Sequence, residues 1–173
     1  FGDDSAYTAA IRWWMAARHG WEVRPEWIFT THGLVNGAAL CVDLWSQPGD
    51  SVVLMTPVYH AFHRIIAAAG RGITQLAMPV VDGRYVADVA AWDAQMTGRE
   101  KIFLLCSPHN PGGRVWTLEE LRAIAEFCRR HGLILVSDEI HHDLILPGHR
   151  HVPMAVAAPE IADRLVMMTA TTK

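Results

Sequence analysis

Ile102-Phe-Leu-Leu-Cys106 is apolar at every position and too short for a buried helix. Such a run is a strand covered on both faces, the situation of a parallel sheet with helices above and below it. The rest of the chain of 173 residues repeats the theme. Short apolar runs at 52–55, 73–80, 133–137 and 165–168 read as further strands, and 28–31 as a shorter candidate. Helical spacing occupies residues 7–19, 35–45 and 86–96, and a turn at 57–62 opens a helix through 69. Thr117-Leu-Glu-Glu120 has capping-box spacing and starts a helix to about 131, while 159–163 is a short helical turn. Gln47-Pro-Gly-Asp50 and Asp82-Gly83 are turn signals between elements. The expectation is an α/β domain with a mostly parallel sheet.

Composition narrows the function classes. Apolar residues make up 51% and charged residues 19%, which suits a packed core and not a disordered chain. A net charge of −3 offers no electrostatic footprint for nucleic acid or an anionic membrane. No apolar run approaches a membrane span, and Phe1-Gly-Asp-Asp lacks the basic start and apolar core of a signal peptide. Cys41, Cys106 and Cys128 are odd in number and set among apolar residues, so they read as reduced, buried thiols of a cytoplasmic protein.

The polar residues that stand out share a location. His32-Gly33, Tyr59, residues 107–113, residues 138–141 and residues 169–173 all follow the ends of expected strands. Ligands of open α/β sheets bind outside those ends. Gly33-Leu34-Val35 opens a helix, whose free N–H groups suit a phosphate. Asp138 ends a buried strand, where an unpaired charge is costly, so it needs a cationic partner or serves as a helix N-cap. Pro108 and Pro111 fix the backbone around Asn110 and turn its amide inward. Tyr59 is a core tyrosine or a ring platform. Lys101 and Lys173 are the two lysines, and only Lys173 follows an apolar strand and a hydroxyl-rich turn, although taken alone it reads as a surface lysine. His141, His142, His149 and His151 gather beside Asp143, but His141 and His142 are adjacent and point apart. No two-histidine zinc motif is matched, so no metal is expected.

Taken in order, Ser107-Pro-His-Asn-Pro-Gly-Gly113, Ser137-Asp-Glu-Ile-His-His-Asp143 and Leu165-Val-Met-Met-Thr-Ala-Thr-Thr-Lys173 resemble the cofactor site of the fold-type I pyridoxal-phosphate (PLP) enzymes, the aminotransferase class I/II superfamily. Phe1-Gly, Trp14, Arg18-His-Gly-Trp21, Thr56-Pro-Val-Tyr59 and Asp138-Glu-Ile-His141 add a resemblance to its cystathionine β-lyase-like branch. This implies a three-layer αβα domain, the PLP-binding large domain over residues 1–173, without the N-terminal arm and C-terminal small domain. It also implies roles. Lys173 forms the imine with PLP and acts as general base, and Asp138 keeps the pyridine nitrogen protonated. Asn110 and His141 lie near the phenolic oxygen, Tyr59 stacks on the ring, and Gly33, Leu34, Val35 and Thr172 hold phosphate. Two departures stand out: Ala170 where serine is common, and Gly112 where threonine is common.

The implied activity is a carbon–sulfur β-lyase acting on cysteine S-conjugates or cystathionine, releasing thiol, pyruvate and ammonia. An aminotransferase is the alternative that uses the same residues; a PLP-binding regulatory protein or an inactive fragment is the other. The implied partners are a small-molecule amino-acid substrate and a second copy, as a homodimer of the longer enzyme, with neither nucleic acid nor membrane.

Overall fold

The computed structural model describes residues 4–173; Phe1 and Gly2, which contribute to the resemblance, lie outside the described residues. Helix α1 (Ser5–His19) ends on Gly20, whose left-handed φ of 68° lets its N–H reach back to the Ala16 carbonyl. Helix α2 (Leu34–Trp45) leads into β1 (Ser51–Thr56), then α3 (His60–Ala68) and β2 (Gly72–Ala77). A two-stranded hairpin follows, β3 (Val80–Val81) with β4 (Arg84–Tyr85), and then the short α4 (Val89–Trp92). The second half runs β5 (Glu100–Cys106), α5 (Leu118–Arg130), β6 (Ile134–Asp138), α6 (Met154–Ala157) and β7 (Leu165–Met168).

Five strands form one parallel sheet in the order β2-β1-β5-β6-β7. Alternation along each strand divides its side chains between two cores. Val52, Leu54, Ile102, Leu104 and Val136 pack with Ala38, Val42, Phe62 and Ile66 from α2 and α3. Val53, Met55, Phe103, Leu105 and Leu135 pack with Trp92 and with Leu121, Ile124 and Phe127 of α5. The result is three layers, helix over sheet over helix, as expected.

The chain leaves β1 toward β2 on one side and returns to β5 on the other. The helices change face at the same place: α3 packs on one core and α5 on the opposite one. This is a topological switch point, where the loops beyond adjacent strands diverge and open a crevice.

The Thr117 capping box forms as expected: its side chain accepts from the Glu120 N–H, and the Glu120 carboxylate accepts from the Thr117 N–H. Three expectations are corrected, and one helix is new. Residues 28–31 are not a strand, since no described strand pairs with them and Phe29 stands 87% exposed. The strand expected over 73–80 stops at Ala77, because Pro79 has no N–H for a ladder, and Val80 turns into the hairpin through Asp82 and Gly83, both at positive φ. The helix expected over 86–96 shrinks to α4 and one 3-10 turn, because the Val86 N–H is already committed to the Pro79 carbonyl. Helix α6 was not expected; its backbone caps a buried carboxylate, described below.

Candidate functional site

The carboxyl ends of β5, β6 and β7 are aligned by register. Cys106 stands opposite Asp138, and Asp138 opposite Met168. Two further bonds carry the ladder past the strand ends, Ser107 N–H to the Asp138 carbonyl (2.9 Å) and Glu139 N–H to the Met168 carbonyl (2.8 Å). The loops carrying Asn110, His141 and Lys173 therefore leave the sheet side by side.

Asp138 is buried at this edge. Its carboxylate accepts one hydrogen bond among the described residues, from the Ile140 N–H at 3.1 Å, and no described cationic side chain pairs with it. Burial, with a smaller contribution from Glu139, pushes its carboxyl up to about 6. The N-cap alternative is set aside, as no α-helix follows it. A carboxylate so placed lacks a positive partner, and a protonated heterocycle would supply one.

The other expected residues surround it unevenly. His141 is half-buried, and its proton affinity is lowered by burial and then by the charge of Lys173. Thr172 and Lys173 are exposed, in a turn beyond β7. Asn110 is half-buried in the loop after β5; its N–H meets the Cys106 sulfur at 3.3 Å, and no described side chain engages its amide. Tyr59 follows β1 at the start of α3, its ring edge-on to Phe62 at 5.7 Å. Tyr59 and Asn110 thus flank the switch point from its two sides.

Gly33 precedes α2 with φ 85°, and α2 has neither a side-chain cap nor an acidic residue in its first turn. The N–H groups of Leu34 and Val35 are free to meet an anion. Although residues 28–31 are not a strand, α2 still reaches the sheet edge. A side-chain carbon at Gly37 would come within 3.1 Å of the Thr31 hydroxyl and 3.5 Å of the Met168 sulfur. The departure at Gly112 has a local cause: a Cβ there would lie 2.6 Å from His109 Nδ1 and 2.7 Å from the Tyr85 ring. The edge is an open shelf. Two concavities, of about 480 and 400 Å³, lie elsewhere, against α1 and between α2 and α3.

A second polar layer lies beneath the shelf; His142, His151 and Asp143 stood out in the sequence only as a histidine cluster, and Glu139 and His19 were not singled out. Glu139 is fully buried and accepts from the Ser137 hydroxyl (2.8 Å), the Met154 N–H (3.0 Å) and His151 Nε2–H (2.7 Å). His142 Nδ1–H donates to the Glu139 carbonyl at 2.6 Å. On the far side, Asp143 accepts from Trp14 Nε1–H at 2.8 Å and lies 3.0 Å from His19 Nε2. Sequence spacing gave no hint of that contact, because His19 and Asp143 are 124 residues apart.

Residues 2–172 match the aminotransferase class I and II family, and the chain belongs to it. Cystathionine beta-lyase PatB of Bacillus subtilis (strain 168) is 39% identical over 165 residues, covering 95% of this chain and 43% of that protein. The aspartate aminotransferase of Geobacillus stearothermophilus is 27% identical across 91% of this chain and 40% of its own. The crystal structure of cystalysin from Treponema denticola, which contains a pyridoxal 5'-phosphate cofactor, superposes with a TM-score of 0.94. It is 36% identical and is matched over 98% of this chain and 43% of that one. The chain spans less than half the length of these relatives. No described helix is long and apolar enough to cross a membrane.

Proposed function

We propose that the chain is the large, cofactor-binding part of a PLP-dependent carbon–sulfur β-lyase, acting on cysteine S-conjugates or cystathionine. The observation that carries this reading is Asp138, a buried carboxylate without a described cationic partner, at the carboxyl edge of a parallel sheet beside its switch point. The similarity to PatB and cystalysin supports the branch.

The residues present fit the cofactor. Asp138 would pair with the pyridinium nitrogen, Asn110 and His141 would orient the phenolic oxygen, and Tyr59 would cover the ring. The N–H groups of Leu34 and Val35, with the Thr172 hydroxyl, would hold the phosphate. The expected donor Gly33 instead gives its N–H to the Thr31 carbonyl (2.8 Å) and serves as the turn that opens the helix. Lys173 is the amine for the aldehyde. When bound, PLP supplies an electron sink that stabilises negative charge at the substrate Cα. Asp138 maintains that sink by keeping its charge against the ring nitrogen; a cation there draws the carboxyl back below its raised value of about 6. Lys173 would also be the general base that takes the Cα proton. Loss of a thiolate from Cβ, followed by hydrolysis, gives thiol, pyruvate and ammonia.

Aminotransfer is the second reading, favoured by the likeness to aspartate aminotransferase. It would need the same residues, with Lys173 again carrying the proton, and would differ in requiring a keto acid as acceptor. The longer protein is proposed to work as a cytoplasmic homodimer, in keeping with the family resemblance and with three free cysteines.

The test starts with the purified chain and PLP. A visible absorbance band, trapped by borohydride on Lys173 and absent from Lys173→Ala, is expected. No band, or one unchanged in Lys173→Ala, would overturn the cofactor assignment. With the longer protein, thiol and pyruvate released from an S-alkylcysteine without a keto acid support the lyase; dependence on a keto acid supports transfer.

A further inference from the structure

Beyond the shelf, the end of α1 meets the turn after β6. His19 Nε2, His142 Nε2 and an Asp143 carboxylate oxygen all lie within 4.8 Å of one another. Both histidine side chains are at least 95% buried, at 5% and 4% exposure, while Asp143 opens toward solvent at 33%.

The tautomer of His142 makes this cluster unusual. A carbonyl oxygen only accepts, so the 2.6 Å contact with the Glu139 carbonyl puts a proton on His142 Nδ1. In the neutral ring, Nε2 then carries a lone pair. That nitrogen is buried with no hydrogen-bond partner, although Asp143 Oδ2 lies 3.1 Å away. A lone pair and a carboxylate oxygen brought this close repel unless a positive charge joins them. A histidine that donates Nδ1–H to a backbone carbonyl and presents Nε2 is the usual arrangement of a metal ligand. Trp14 Nε1–H orients the Asp143 carboxylate in the same supporting manner.

The spacing suits a small divalent cation. Metal–ligand bonds of about 2.0–2.1 Å at tetrahedral angles place ligand atoms about 3.3 Å apart. His19 Nε2 lies 3.0 Å from Asp143 Oδ1 and His142 Nε2 lies 3.1 Å from Asp143 Oδ2, so each nitrogen faces its own oxygen of the carboxylate, and one oxygen stands within 4.8 Å of both nitrogens. The nearest described cation, Arg18, is 3.9 Å from Asp143 Oδ1 but 60% exposed, free to swing into water. The His151 ring centre, 6.0 Å from that of His19, is tied to Glu139 and stands outside the set.

We propose that His19, His142 and Asp143 form a binding site for a divalent transition metal of the zinc class, with water completing the coordination. Imidazole nitrogen with one carboxylate favours zinc over magnesium or calcium, which take oxygen ligands. The metal would clamp α1 to the turn after β6, two residues beyond His141, and the site requires no pyridoxal phosphate.

The test is metal binding by the purified chain. Zinc, titrated in competition with a chromophoric chelator, is expected to bind at one per chain with Kd of about 1 μM or tighter. Cobalt(II) in its place is expected to show the intense visible bands of a four-coordinate ion. His142→Ala and Asp143→Asn, each confirmed folded by circular dichroism, should weaken binding more than about 100-fold, since loss of supporting contacts alone costs about 10–100-fold. His149→Ala, an exposed histidine in the same segment, should not. The absence of a stoichiometric site, a six-coordinate cobalt spectrum, or unchanged binding in folded Asp143→Asn would overturn the proposal.

Discussion

Cys106 and Asp138 occupy one rung at the end of the β5–β6 ladder, and the aspartate adds to burial in pushing the Cys106 thiol up to about 12. The thiol is therefore protonated at any physiological pH and serves the loop structurally, accepting from the Asn110 N–H.

A labelling order follows. Cys41 is half-buried and raised by burial to about 11, and Cys128 is fully enclosed with its thiol pushed higher still. A thiol-specific reagent at pH 8 should modify Cys41 slowly, and Cys106 and Cys128 only after denaturation. Fast native-state modification of Cys106, read by mass spectrometry, would contradict its burial.

Asp138 predicts a dependence of stability on pH. A carboxyl raised in the folded state from its ordinary value to about 6 holds its proton more tightly folded than unfolded. Stability is therefore lost as pH rises from about 4 to above 6, by up to about 3 kcal/mol for this group. Without added cofactor, Asp138→Asn should be more stable than wild type at pH 7.5, with the gap closing toward pH 4. Neutral histidines such as His19, lowered chiefly by burial, act in the opposite direction but in both proteins, and so cancel in the difference. Urea melts at several pH values provide the comparison.

Glu139 is better matched by a carboxylate than by an amide. Oε1 accepts from Ser137 and the Met154 N–H, so in Glu139→Gln the NH2 takes the other place, facing His151 Nε2, which must then change tautomer to accept; a cost of up to about 1–3 kcal/mol is expected. Glu139→Ala leaves all three buried partners without their acceptor and should cost more than the amide does. Equal urea midpoints for wild type and Glu139→Gln would show that the carboxylate is not needed.

The cap of α5 is a local interaction. Thr117→Ala should lower stability by about 1 kcal/mol, with the urea m-value unchanged, because one N–H of the first turn loses its acceptor.

These residues also show what a sequence displays. Strands 102–106 and 165–168 were legible because their signals are local: apolar runs bounded by turns. Asp138 stood out as a candidate because a charge at the end of such a run demands a partner, and its burial without a described cationic partner agrees with that reasoning. The segment 28–31 was misread because its apolar character says nothing about a pairing strand, and pairing is a long-range fact. The pairing of Glu139 with His151 was not legible, because a carboxylate and a histidine separated by a loop carry no mark of burial. His19 was hidden further still, brought to Asp143 only by the way α1 lies across the sheet edge.

The switch point also bears on time. Ser51 pairs with Gly72 on one side and with Glu100 on the other, so the β1–β5 rungs close across the whole β2–β4 excursion. The entropy of that closure must be met before its contacts reward it, and the nearer β1–β2 and β5–β6 pairs have less to overcome. The two halves therefore tend to form separately and dock late. Tyr59 belongs to one half, Asn110 and Asp138 to the other. A refolding chain regains most of its helix before it regains the crevice between them.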